Sequence, residues 1–361
     1  MSLTKKHPAP NIVPGVNLTA KRFAEFFAWI SATAADTARA IRDPFKYGLV
    51  TSFDGQSSLQ LQKNGACLTL SRCCAITPAG SIIGLIEDFH PALELELQEQ
   101  DLHPQEQYAV LVEVLHDTHR AFGAESPDMP LRPLYSAPAY RLHVQPLEQS
   151  LAEVSDAVQI GLLQMDFGKW KLAEYLPPCT HAGAHPLLAE RQRTYLTEFE
   201  DLLDRLPKIV RNTDAYREKS MVELREFSLQ LGSFAASQHF RYRHIGKQGS
   251  PFDIFSAWSG LAREMSFLLQ CLKDRAGFYN LLNENTRQRN GVFFTAQSWD
   301  AAVQNLANLE YCHDNLQKAV DTLNRFLETV TPVIISLTYG VEEVKSRTHF
   351  ADEKRKNSYT W

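Results

Sequence analysis

The spacing of apolar residues changes twice along the chain, and each change marks a change of predicted structure. Between residues 20 and 41 apolar side chains recur at intervals of three and four, as on one face of an α-helix. From residue 47 to about 175 the interval shortens to two and turn residues become frequent, which predicts an antiparallel β-sandwich. After Leu176-Pro177-Pro178-Cys179 the helical spacing returns and lasts to about Val330. The predicted fold class is therefore α+β: one helix, an N-terminal antiparallel β-sandwich, and a bundle of long helices.

The β-rich region divides into short strands separated by turns. Asn64-Gly65 is a strong hairpin signal because both residue types tolerate positive φ, and residues 166–169 form another predicted turn. Residues 107–115 carry Val and Leu at odd and even positions, which is typical of a strand buried on both faces. The predicted strands are Leu59–Gln62, Cys67–Cys73, Ser81–Ile86, Leu93–Leu97, Gln107–Leu115, Tyr140–Val144, Ala157–Met165 and Trp170–Leu172.

The helical region is predicted to begin at Pro186, because proline suits the first turn of a helix. Further helices are predicted from Asp214 to Tyr242, from the cap Ser250-Pro251 onwards, and from Ser298 to about Val330, with a less regular stretch over residues 277–297. The expected organisation is a β-sandwich domain at residues 1–180, a helical bundle at 181–331, and a short C-terminal tail at 332–361.

The last predicted helix carries an apolar stripe with heptad spacing. Its members are Leu309, Cys312, Leu316, Ala319, Leu323, Phe326 and Val330. Such a stripe is open to two interpretations: it forms the core of a monomeric bundle, or it also buries a face against other copies of the chain. The periodicity is the same in both cases.

Composition narrows the class of protein without identifying it. Apolar residues make up 44% and charged residues 22% of the 361 residues, which excludes a disordered chain or a collagen-like repeat. A net charge of -5 argues against a general nucleic-acid binder. The six cysteines are scattered without zinc-type pairs, as expected of reduced thiols in a cytoplasmic protein. The apolar run near residues 330–341 is shorter than the roughly 20 residues that a bilayer span needs. Prolines interrupt the first residues, so we expect no signal peptide.

Three short clusters carry chemistry that could be functional. Cys179, His181 and His185 are spaced as metal ligands could be, and they define an alternative function, a metal-dependent hydrolase. His116 and His119 could also lie within reach of one ion, although a polar loop explains them equally.

The third cluster, residues 241–247, is basic and contains an aromatic residue, so it could contact phosphates or simply favour a helix C-terminus. No nucleophile elbow or phosphate-binding glycine loop occurs. We therefore expect no catalytic, cofactor-binding or metal-binding residues, no cofactor, and no enzyme activity.

The order of the predicted domains resembles that of the TssK family, a baseplate subunit of bacterial type VI secretion systems. The resemblance covers residues 12 to 330. It rests on Tyr47-Gly48-Leu49-Val50, on Leu68–Gly80, on Ile160-Gly161-Leu162-Leu163, on Trp170-Lys171-Leu172, on Tyr175–Cys179 and on Pro186-Leu187-Leu188. Ala79 stands where the family usually has an acidic turn residue.

The resemblance implies a β-sandwich shoulder, a helical neck and a homotrimer. It implies docking on baseplate wedge proteins similar to TssF and TssG, and a link to the membrane-side complex without insertion into the membrane. Leu309, Leu316, Leu323 and Phe326 become the candidate oligomer interface. Typical members carry a further C-terminal head domain, and only about 30 residues follow Val330, so a shortened head is expected. A baseplate or tail protein of a phage, or of another contractile injection system, is the nearest alternative.

Overall fold

The chain forms two compact units that divide between Pro186 and Leu187. The computed structural model describes residues 19–41, 44–52, 55–87, 90–98, 102–103, 106–125, 133–147, 156–245, 248–289 and 294–357. The first unit holds one helix and two antiparallel sheets, and the second is helical. The predicted α+β class is confirmed. No helix in these ranges is long and apolar enough to cross a bilayer.

Helices and strands follow one another in the predicted order. The helices are α1 (Ala20–Ile41), α2 (Pro186–Thr213), α3 (Lys219–Ile245), α4 (Pro251–Cys271), α5 (Arg275–Arg289), α6 (Ala296–Ala307) and α7 (Leu316–Asn357). The strands are β1 (Gly48–Leu49), β2 (Leu59–Asn64), β3 (Cys67–Ile76), β4 (Ile82–Leu85), β5 (Leu93–Glu96), β6 (Tyr108–Glu125), β7 (Pro133–Pro146), β8 (Ala157–Asp166) and β9 (Lys169–Leu172).

The two sheets are built differently. In the first, β3 is central: β2 and β1 pair along one of its edges, and β5 and β4 pair along the other. In the second, the order is β7-β6-β8-β9, with every pair antiparallel. The sheets approach closely at Gly161 of β8, where an added Cβ would lie 2.8 Å from the Leu61 side chain of β2. A larger residue at this crossing of the sandwich would therefore require the end of the Leu61 side chain to move.

Strand β6 extends well beyond the predicted strand. Its pairing with β8 ends at Glu113, but it continues to pair with β7 as far as Glu125. His116 and His119 thus lie in a strand and not in a loop. Among the strands that the structure describes, β7 alone pairs with the outer part of β6. This part is largely polar, so it lacks the alternating apolar pattern that reveals a half-buried strand.

A buried carboxylate joins the two sheets. Asp156, just before β8, accepts hydrogen bonds from the hydroxyls of Thr77 and Ser81 and also pairs with the His116 ring. Thr77 and Ser81 flank the turn between β3 and β4, so one side chain holds a turn of the first sheet against the second. Burial of this carboxyl group is tolerated because several hydrogen-bond partners replace the water it loses.

Strand β1 is bound to the segment that follows the second sheet. The Leu49 amide donates to the Pro178 carbonyl at 2.8 Å, and the Thr180 amide donates to the Leu49 carbonyl at 2.9 Å. Gly48 has φ +97°, and a Cβ there would lie 2.0 Å from the Pro178 carbonyl oxygen. The Gly48-containing segment and the Pro177-Pro178 segment are therefore one structural feature, which we call the Gly48–Pro178 clamp.

The helical region departs from prediction in four places. The helix predicted over residues 298–330 is two helices, since Asn308 ends α6 and the Asn315 side chain accepts the Lys318 amide at the start of α7. The cap of α6 is Thr295 and not Ser298. Helix α7 continues through Pro332 to Asn357, beyond the predicted end near Val330. The stretch over residues 277–297, predicted to be irregular, contains most of α5, whose few apolar positions gave it little helical signal.

Replacing Gly48 with alanine should unfold the first unit or destabilise it by more than about 3 kcal/mol, because the methyl group would overlap the Pro178 carbonyl. Gly55 is the matched control: it has φ +72° with no atom within 4 Å of an added Cβ, so Gly55→Ala should cost only about 1 kcal/mol. Urea unfolding followed by circular dichroism measures both. Equal losses of unfolding free energy in the two variants would mean that the positive φ, and not the close approach to Pro178, makes glycine necessary at position 48.

Candidate interaction surfaces

The candidate metal ligands after the second sheet have other roles. The Cys179 thiol is fully buried and donates to the Pro177 carbonyl at 3.2 Å, and burial raises the pKa of this thiol far above its usual value. A thiolate ligand needs a lowered pKa. The His181 ring contacts the Thr51 hydroxyl at 2.8 Å, and burial lowers the pKa of His185. These residues form the end of the clamp and a short 3-10 turn.

The other histidine pair is also not assembled around an ion site. The His116 ring bonds to Asp156, and His119 is exposed in the outer part of β6. Across the residues that the structure describes, no group of three or more His, Cys, Asp or Glu side chains could hold a metal ion.

Acidic side chains lie beside the two arginines of the basic cluster at the end of α3, and Lys247 of that cluster lies outside the described residues. Arg241 pairs with Asp253 at 3.4 Å, and Arg243 lies 3.9 Å from Glu200. The Tyr242 ring is buried and its hydroxyl accepts from Trp258 at 3.2 Å; burial raises the pKa of this phenol. The cluster thus fits a helix C-terminus packed on its neighbours better than a phosphate-binding patch.

The heptad stripe of the last predicted helix lies largely inside a single chain. Leu316 and Leu323 are 0% exposed and Phe326 is 1% exposed, and the Phe326 ring packs 6.1 Å from that of Trp258. Leu309 lies between α6 and α7 and is half-buried. The stripe is therefore accounted for by the core of one bundle, and its periodicity no longer argues for a second copy.

Another apolar face on the bundle stays exposed. Leu229 and Phe240 are 59% and 74% exposed on α3; eleven residues apart, they lie on one side of the helix. Phe267 of α4, a helix that packs against α3, is also exposed. We call Leu229, Phe240 and Phe267 the α3–α4 face.

Helix α1 exposes apolar side chains in the first unit. Phe23, Phe27 and Ile30 recur at intervals of four and three and are all exposed, while the rings of Phe26 and Trp29 lie 5.8 Å apart along the same helix. The predicted amphipathic helix is confirmed, but its apolar stripe is not buried within the described part of the first unit. Contiguous exposed apolar surface of this kind marks a site of interaction.

Comparison with known proteins identifies the fold. No protein-family model and no curated protein matches the sequence. A crystal structure of TssK is 13% identical, with a TM-score of 0.53 over 93% of this chain and 70% of the other. TssK from the EAEC type VI secretion system, in complex with a nanobody, is 15% identical, with a TM-score of 0.51 over 89% of this chain and 99% of the other. The TssK–TssF–TssG baseplate subcomplex of the type VI secretion system aligns at 0.49, with 13% identity over 93% of this chain and 100% of the other. The chain has the TssK fold, as the motif order predicted.

Thiol reactivity distinguishes a buried Cys179 from a metal-ligating one. Cys271 and Cys312 are exposed, and Cys73, Cys74 and Cys179 are buried. Titration of the native protein with Ellman's reagent at pH 8 should therefore show a fast phase that Cys271→Ser reduces by one thiol and Cys179→Ser leaves unchanged. A fast-reacting Cys179 would restore the hydrolase alternative.

Proposed function

We propose that this chain is a structural baseplate subunit of a type VI secretion system, acting in the role of TssK. The observation that carries the proposal is the likeness to solved TssK over 93% of the chain at a TM-score of 0.53. That alignment is long enough to include both the β-sandwich unit and the helical unit. The first unit corresponds to a shoulder and the second to a neck.

The residues that carried the sequence resemblance support the same proposal. Tyr47–Val50 and Tyr175–Cys179 are distant in sequence, but the Gly48–Pro178 clamp brings them together. The first segment requires glycine at position 48, and its Leu49 amide donates to the Pro178 carbonyl of the second segment. Motifs of this kind are structural, and they support a shared fold more strongly than shared chemistry.

The chemistry of the candidate clusters favours assembly over catalysis. The buried Cys179 thiol donates a hydrogen bond to the Pro177 carbonyl. The two arginines at the end of α3, Arg241 and Arg243, lie beside carboxylates. Apolar residues on α1 and on the α3–α4 face are exposed instead. This distribution is that of a protein that acts by contacting other proteins.

The proposed assembly is a homotrimer at the cytoplasmic side of the secretion machine, bound to wedge proteins similar to TssF and TssG. We assign the trimer contact to the α3–α4 face, in place of Leu309, Leu316, Leu323 and Phe326. The last three are buried in one chain, so their participation would require the bundle to open. Leu229, Phe240 and Phe267 can be covered by another copy without any rearrangement.

Direct binding to the wedge proteins tests the proposed role. The chain should bind TssF- and TssG-like proteins from its own host with a Kd below about 1 μM, measured by biolayer interferometry. Wedge proteins from an unrelated type VI system serve as the control and should bind at least about tenfold more weakly. Absence of binding to the host's own wedge proteins at micromolar concentration would contradict the proposal.

Light scattering tests the assigned trimer face. The native mass should be about three times the 40.9 kDa of one chain. Phe240→Ser should shift the protein towards the single-chain mass, because it removes an exposed aromatic from the interface core. Gln230→Ser changes an exposed polar residue of the same helix and should leave the mass unchanged. A trimer that is equally stable in both variants would place the contact elsewhere.

A further inference from the structure

The hairpin between β8 and β9 presents an aromatic side chain in an unfavourable place. Phe167 at its tip is 98% exposed, and its backbone has φ +46°. Every other described residue with positive φ is a glycine. Large apolar residues avoid both full exposure and this backbone region.

The turn itself has no need of phenylalanine. Asp166 pairs with Lys169 across it, so Phe167 and Gly168 are the two central residues, and both have positive φ. Turns of this type favour asparagine, aspartate or glycine at the first central position, since an ordinary Cβ there crowds the neighbouring carbonyl. The ring makes no packing contribution to compensate, because almost all of its surface faces solvent. Folding of the chain therefore does not explain this residue.

The hairpin holds the Phe167 backbone in a fixed position. The Lys171 ammonium lies 2.7 Å from the Asp166 carboxylate across the two strands. At the base, the Trp170 ring is buried and meets the Tyr108 ring edge-to-face at 5.5 Å. An exposed aromatic on a rigid support binds with little loss of conformational entropy, as interface anchors do.

The charges around the tip indicate what kind of partner it fits. Lys171 neutralises Asp166, whereas the exposed Lys169 has no acidic partner among the described residues. The tip thus offers one aromatic ring beside one uncompensated positive charge. A membrane surface would be better served by several basic residues and a wider apolar face. An apolar pocket with a carboxylate at its rim complements this tip.

We propose that Phe167 is an interaction anchor that inserts into an apolar, acid-rimmed pocket of a partner protein. The proposal rests on the proposed function only for the choice of probe, which is the TssF- and TssG-like wedge proteins of the same host. In this scheme Phe167 contributes to binding, although it makes the turn between β8 and β9 less stable than asparagine or glycine would.

Phe167→Asn separates binding from folding, because the two effects have opposite signs. Asparagine tolerates positive φ, so the variant should melt about 1–3 °C higher than the native chain. Its affinity for the wedge proteins should fall about tenfold or more, since the aromatic anchor is lost. Ile82→Thr is the control: Ile82 is 69% exposed on β4, and this change should leave the affinity unchanged. Lys169→Gln should weaken binding by a smaller factor that disappears at high salt.

Each outcome decides a different question. Failure of the native chain to bind the wedge proteins contradicts the proposed function. Native binding with an unchanged affinity of Phe167→Asn overturns the anchor. Loss of trimer mass in Phe167→Asn identifies a second copy as the occupant and overturns the proposal as stated. Flotation of the native chain, but not of the variant, with anionic lipid vesicles would overturn it in favour of a membrane surface.

Discussion

The Gly48–Pro178 clamp is the contact on which the first unit depends most. It joins β1 to a segment about 130 residues later in the sequence, after the second sheet, through backbone hydrogen bonds and a bond from the Thr180 hydroxyl to the Leu49 carbonyl. Backbone pairing of this kind cannot be replaced by another side chain, and the close approach admits no Cβ on one side. The strands between the two segments are therefore held between fixed ends, and the Asp156 bonds add a second tie between the sheets.

This constraint explains why weak motifs can identify a fold at 13–15% identity. Core positions tolerate exchange among apolar residues of similar volume. Two chains can therefore share a fold although the residue types in their cores differ. A glycine whose Cβ would lie 2.0 Å from a carbonyl oxygen permits no exchange. The segments around Gly48 and Pro178 could be recognised in the sequence because the local backbone geometry depends on their residue types.

Sequence periodicity predicted the elements better than their ends. The start of α4 and the extent of α1 agree with the structure. The predicted hairpin after β2 forms, but its central turn residues are Gly65 and Ala66, because Asn64 still pairs with Cys67. The break between α6 and α7 was missed because an apolar spacing of three and four continues across it, while Asn308 and Asn315 end and begin the helices. The outer part of β6 was missed because β7 is the one described strand that pairs with it. The last helix was predicted to end near Val330, yet α7 continues through Pro332.

Periodicity also cannot distinguish an apolar stripe buried in one chain from one buried between chains. Leu316 and Leu323 have the heptad spacing of an interface and belong to a single core. Leu229 and Phe240, on a helix whose more regular stripe faces that core, remain exposed.

Phe167 shows a different kind of signal, a residue that both the backbone and the solvent disfavour. The spacing of apolar residues predicts which side chains a fold can bury. Residues that are unfavourable for folding, in contrast, indicate candidate binding surfaces.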